Sequence, residues 1–102
     1  MMHTDVEPKA LRAMLDAGDE VFVLDVRQDD EVVEWPFPGA HHIPLDELAD
    51  RTSELPLDEA IVVVCHAGVR SAVAAEALAR AGWKASSLVG GVLAWQESAQ
   101  GG

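Results

Sequence analysis

A chain of 102 residues with 49% apolar side chains has the size of one compact domain with its own core, expected over residues 1–102. Eighteen acidic against seven basic side chains give a formal charge of −11, which argues against nucleic acid or an anionic membrane as partners and would suit a basic protein partner. No apolar run reaches the length of a membrane span, the start Met1-Met2-His3-Thr4-Asp5 lacks the basic opening and apolar core of a secretory signal, and one cysteine cannot close an internal disulfide, so the expected compartment is the reducing cytoplasm.

Pro8 opens a predicted helix that runs to Ala17 and stops at Gly18, since a proline in the first turn gives up an N–H that has no partner there. A strand follows at Val21–Val26, then a loop rich in acid and proline from Asp29 to Pro38, then a short strand near His41–Ile43. Asp46 is expected to cap a helix reaching about Glu54, with Pro56 soon after it. Ala60-Ile61-Val62-Val63-Val64 is short, β-branched and uninterrupted, the pattern of a strand buried on both faces. Ser71–Ala81 is rich in helix formers and ends at Gly82; Ala85–Val89 then forms a strand that leads past Gly90-Gly91 into a last helical turn or two ending near Gln100. Strands alternating with helices predict an α/β fold, a small, mainly parallel central sheet covered on both faces, with ligands beyond the carboxyl ends of the strands.

Cys65 lies at such an end, between the apolar run and the alanine-rich helix. A tight loop there would turn the N–H groups of His66, Ala67, Gly68, Val69 and Arg70 toward the sulfur, and the helix N-terminus and the Arg70 guanidinium add positive charge. The thiol is therefore expected below the free value of about 8.5. Gly68 supplies the positive φ that so short a loop requires. His66 is expected to line the site through its N–H rather than as a base, and Ser71 to hydrogen-bond near the sulfur. Arg27 is expected chiefly to pair with Glu31 or a neighbouring carboxylate and hold the following loop, with a lesser contribution to a local positive focus, and Asp25 to brace the strand ends. Among Trp35, Trp83 and Trp95, which read as core or rim, Trp35 is the candidate for the site mouth. His3, His41 and His42 have no metal-site spacing, and Gly90-Gly91 is not a nucleotide fingerprint, so neither metal nor cofactor is expected.

Four segments in order resemble the rhodanese-like sulfurtransferases: Leu24-Asp25-Val26-Arg27; Pro38-Gly39-Ala40 with Ile43-Pro44-Leu45; Cys65-x-x-Gly68-x-Arg70-Ser71; and Val89-Gly90-Gly91-Val92 with Trp95. The resemblance covers nearly the whole chain and implies the three-layer rhodanese-like fold in its stand-alone form. It implies transfer of sulfane sulfur from thiosulfate or a similar donor to cyanide or a thiol acceptor through a persulfide on Cys65. Cys65 and Arg70 would then be catalytic, with Arg70 orienting the donor's oxygens; His66, Ala67, Gly68, Val69, Ser71, Arg27 and Trp35 would bind substrate. One departure stands out, Trp35-Pro36-Phe37 where the family usually has Gly-His-Ile. Two rivals are phosphatase or arsenate reductase chemistry, whose loops generally hold one residue more than the four between Cys65 and Arg70, and a non-catalytic module that docks a partner on its acidic surface.

Overall fold

Side chains alternate along the central strand of the sheet, and the alternation divides the core in two. In the computed structural model, which describes residues 4–100, that strand is β4 (Ala60–Val64). Before it come β1 (Thr4–Val6), α1 (Pro8–Asp16), β2 (Val21–Asp25), α2 (Asp29–Glu34) and β3 (His41–His42). After it come α3 (Val69–Arg80), β5 (Ala85–Leu88) and α4 (Gly91–Gln100). All pairings are parallel, in the order β1-β5-β4-β2-β3. Ile61, Val63 and Cys65 face one layer, packed with Leu24, Val26 and Ile43 and with Ala74, Ala75 and Leu78 of α3. Val62 and Val64 face the other, packed with Leu11 of α1 and with Val92 and Trp95 of α4. This is the period of two expected of a strand, here with an apolar layer on each side. The α/β architecture with its parallel sheet is as the strand and helix alternation predicts, and no helix among the described residues is long and apolar enough to cross a membrane.

Three elements differ from expectation. Asp29–Glu34 is helical rather than loop, because the Glu31 carboxylate reaches back 2.9 Å to the Gln28 amide and closes the first turn. Between Leu45 and Glu54 there are two 3-10 segments, Leu45–Asp50 and Thr52–Glu54, instead of one α-helix, and Pro44 rather than Asp46 stands at the head. The Leu45 amide is engaged by the Val26 carbonyl (3.1 Å), and Glu47 bonds back to Pro44 and Arg51 to Leu48 in the tighter i to i+3 pattern. The edge strand β1 was not expected; it adds to β5 in register Thr4 to Ser86, with the two hydroxyls 2.6 Å apart. His3 lies outside the described residues.

Helix α4 is longer than a turn or two, and its start holds the loop that follows β4. The amides of Val92 and Leu93, first-turn donors with no partner inside the helix, bond to the carbonyls of Cys65 (2.8 Å) and His66 (3.2 Å). The approach demands glycine at the helix start. Gly91 has φ +61°, and a Cβ there would strike the Cys65 carbonyl oxygen and lie 2.6 Å from the carbonyl carbon and oxygen of His66. Gly91→Ala is expected to cost about 2–4 kcal/mol, combining left-handed strain with a backbone collision. Chemical denaturation measures this, and a loss under about 0.5 kcal/mol, the size of an ordinary surface change, would show that the close approach is not required.

Candidate active site

Beyond the end of β4 the chain must turn at once into α3, and Gly68 makes the turn with φ +99°. The turn places the Gly68 amide 3.1 Å and the Ser71 amide 3.3 Å from Cys65 Sγ, both donating to it. The Ser71 hydroxyl lies 3.4 Å from the same sulfur and 2.7 Å from the hydroxyl of Ser87, which comes from β5. Cys65, Ser71 and Ser87 are all buried, the sulfur residue to 1% exposure. Burial alone pushes the thiol up. The Ser71 hydroxyl and the amides of Ser71, Gly68 and Ala67 outweigh it, so the Cys65 thiol lies below its ordinary value. With the thiolate formed, Ser71 donates its hydroxyl hydrogen to sulfur and Ser87 can donate to Ser71 in turn.

The expected fan of amides from His66 to Arg70 is thus narrower and shifted. Gly68 and Ala67 take part, while Ser71, one residue beyond the fan, supplies both an amide and a hydroxyl. Val69 is exposed at the start of α3, and His66 faces outward. Ser87 was not expected in the site. Of the two serines in β5 it is the buried one, registered against Val63 and so on the α3 side of the sheet.

Arg70 does not stand open to solvent as a free anion contact. Both terminal nitrogens of its guanidinium donate to the Glu31 carboxylate, at 2.7 and 2.9 Å, a two-point pairing of planar groups. Arg70 holds the Glu31 carboxyl down to about 2 against the opposing effect of burial, with the Gln28 amide and Arg27 assisting. Glu31 in turn raises Arg70, and the charges on Cys65 and Asp25 add to this.

Arg27, expected to pair with Glu31 or a neighbouring carboxylate, pairs with Asp25 at 2.7 Å, both buried. Toward α2 it donates to the main-chain carbonyls of Glu31 (3.3 Å) and Trp35 (2.8 Å), and its own carbonyl meets the His42 ring nitrogen at 2.8 Å. Asp25 and Arg27 thus join β2, α2 and β3, the bracing role expected of them. A cleft of about 390 Å³ opens here, lined by Arg27, Glu31, Glu34, Trp35, His66 and Leu93 among others. His66 is the wall that it shares with the cysteine loop. Trp35 lines this cleft, and the atypical Trp35-Pro36-Phe37 has a structural reason: Phe37 is buried, its ring centroid 4.9 Å from that of Trp95 on α4 and 5.9 Å from that of Trp35.

Comparison with known proteins agrees with this geometry. Residues 7–98 match the family model of the rhodanese-like domain. YtwF of Bacillus subtilis is 32% identical over 92 residues, covering 90% of this chain and 89% of its own. A sulfurtransferase of Allochromatium vinosum is 30% identical over 95 residues, 92% of this chain and 89% of the relative. The crystal structure of a rhodanese-like domain protein from Staphylococcus aureus superposes with a TM-score of 0.86 at 33% identity, covering 90% of both chains. With the cysteine loop, the parallel sheet and the matched span all in agreement, the chain belongs to the rhodanese-like family.

Proposed function

We propose that the protein is a sulfurtransferase that carries sulfane sulfur as a persulfide on Cys65, taking it from thiosulfate or a similar donor and passing it to a thiol or to cyanide. The observation that carries this reading is the buried Cys65 sulfur held by two amides and the Ser71 hydroxyl, an environment built for a negatively charged sulfur. The sulfurtransferase name of the Allochromatium relative supports the same reaction class.

In the first half-reaction the Cys65 thiolate attacks the outer sulfur of the donor. The new S–S bond forms as the donor's own S–S bond breaks, and sulfite departs with the bonding pair. Arg70, once it turns from Glu31, is the cation in reach of the donor's oxygens. The persulfide's terminal sulfur is anionic at neutral pH. In the second half-reaction an acceptor thiolate or cyanide attacks that sulfur, and Cys65 leaves as the same stabilised thiolate, so the kinetics are ping-pong. Within these 102 residues no second cysteine exists to take the sulfur, so the acceptor comes from outside. A basic protein carrying such a thiol would suit the net charge of −11.

Incubation with a high concentration of thiosulfate or of a small persulfide is expected to add about 32 Da to the intact mass, the sulfur of a covalent intermediate, and cyanide to remove it. Cys65→Ser is expected to abolish the gain; a gain that persists in that variant would disprove the mechanism. Thiolate ultraviolet absorbance followed against pH is expected to show a Cys65 midpoint below that of a free thiol, moved to higher pH in Ser71→Ala. An unmoved midpoint would mean that the hydroxyl does not support the anion. Arg70→Ala is expected to raise the thiosulfate KM with little loss of stability. Arg27→Ala should instead lower stability by roughly 3 kcal/mol, because it leaves the buried Asp25 carboxylate unpaired. Steady-state kinetics and denaturant melts of both variants check the pair, and the reverse pattern would exchange their roles.

A further inference from the structure

Arg70 is the permanent cation of the cysteine loop, and both terminal nitrogens of its guanidinium are already engaged. Glu31 meets it with two oxygens at 2.7 and 2.9 Å, the same two-point contact that a sulfonate-type oxyanion would make. Glu31 is not a free surface side chain that swings aside without cost. Its carboxylate also accepts from the Gln28 amide at 2.9 Å, and its carbonyl and that of Trp35 anchor α2 to the buried Arg27. The other cation nearby offers little compensation, because Arg27 is matched by Asp25, and Glu34 adds a further negative charge on the cleft wall. A dianionic donor that takes this two-point edge of Arg70 must therefore displace a carboxylate while entering an acidic surround.

We propose that Glu31 is a specificity-determining positioning residue which, by occupying the two-point site on Arg70, turns loading of Cys65 away from sulfonate-bearing donors and toward small-molecule persulfides. This rests on the sulfurtransferase reading. A persulfide donor, R–S–S⁻, has no oxyanion beside its outer sulfur and asks nothing of Arg70. The Cys65 thiolate attacks its outer sulfur, the donor's S–S bond breaks, and R–S⁻ leaves with the bonding pair, so one S–S bond is exchanged for another with no oxidant or reductant consumed. With thiosulfate the electron count is the same and sulfite is the leaving group, but its three oxygens need the position that Glu31 holds.

The test compares KM and kcat for two donors, thiosulfate and the uncharged-carrier persulfide of 2-mercaptoethanol, in the wild-type chain and in Glu31→Gln. Glutamine keeps an acceptor for the Gln28 amide and removes the charge. The ratio of thiosulfate KM to persulfide KM is expected to fall roughly fivefold in the variant, the scale of a partly exposed ion pair. In an Arg70→Ala background the same substitution is expected to change that ratio by less than about twofold, because the two residues act as one unit. If Glu31→Gln fails to fold, Glu31→Asp, which draws the carboxylate back by one methylene, is expected to lower the ratio less but in the same direction. An unchanged or raised ratio with sulfur loading intact overturns the role of Glu31, as does a fall that survives without Arg70. Failure of the wild-type chain to take sulfur from either donor overturns the sulfurtransferase reading, and this inference with it.

Discussion

An ionised sulfur in a protein interior persists only if hydrogen-bond donors replace the water that it has lost, and the structure around Cys65 is arranged around that requirement. The sulfur sits at the end of a strand buried on both faces, where the chain can turn tightly enough to bring the Gly68 amide of the loop and the Ser71 amide of the next helix onto it. Turning the amides inward sends the carbonyls of Cys65 and His66 the other way, into protein. Helix α4 receives them on its first two free amides. The donors on the sulfur and the acceptors behind it are thus one construction, and its cost falls on glycines: Gly68 in the loop and Gly91 where the helix meets it.

The frame that carries this construction is held by a second buried charge, that of Asp25 and Arg27. Its role differs from that of Cys65. Where the Cys65 thiol is shifted toward its anion by amides and a hydroxyl, the Asp25–Arg27 pair is spent on main-chain carbonyls of α2 and on its own internal bond. Helix α2 is short and strongly acidic, and this anchorage gives it a definite position. Glu31 inherits that position and delivers its carboxylate to Arg70 on the opposite side of the site.

Strand and helix periodicity made the parallel sheet legible, because Ala60–Val64 and Val21–Leu24 are continuous apolar runs and Ser71–Ala81 is rich in helix formers. The cysteine loop was legible for a similar reason, since Cys65, Gly68, Arg70 and Ser71 fall within seven consecutive residues. What was hidden depended on contacts across distance or on weak local signals. Asp29–Glu34 is too short for a helical period to show, and Gln28 is an unusual residue to stand before a first turn, so the element read as loop. Leu45–Glu54 has the composition of a helix, but Leu48 and Leu55 are its buried apolar anchors, and a proline-led tight turn satisfies both. The Glu31 partnership joins residues 39 apart in the chain, and no local pattern announces it.

The hydroxyls of Ser71 and Ser87 give the site a further property. A hydroxyl rotor changes what it donates and accepts by moving one hydrogen, while its oxygen stays in place. Through the pair, whose oxygens are 2.7 Å apart, the same heavy-atom cage can accept a hydrogen bond from the neutral thiol or donate one to the anion. A change between thiol and thiolate at Cys65 can therefore be met with the oxygens in place, hydrogens rather than backbone absorbing it.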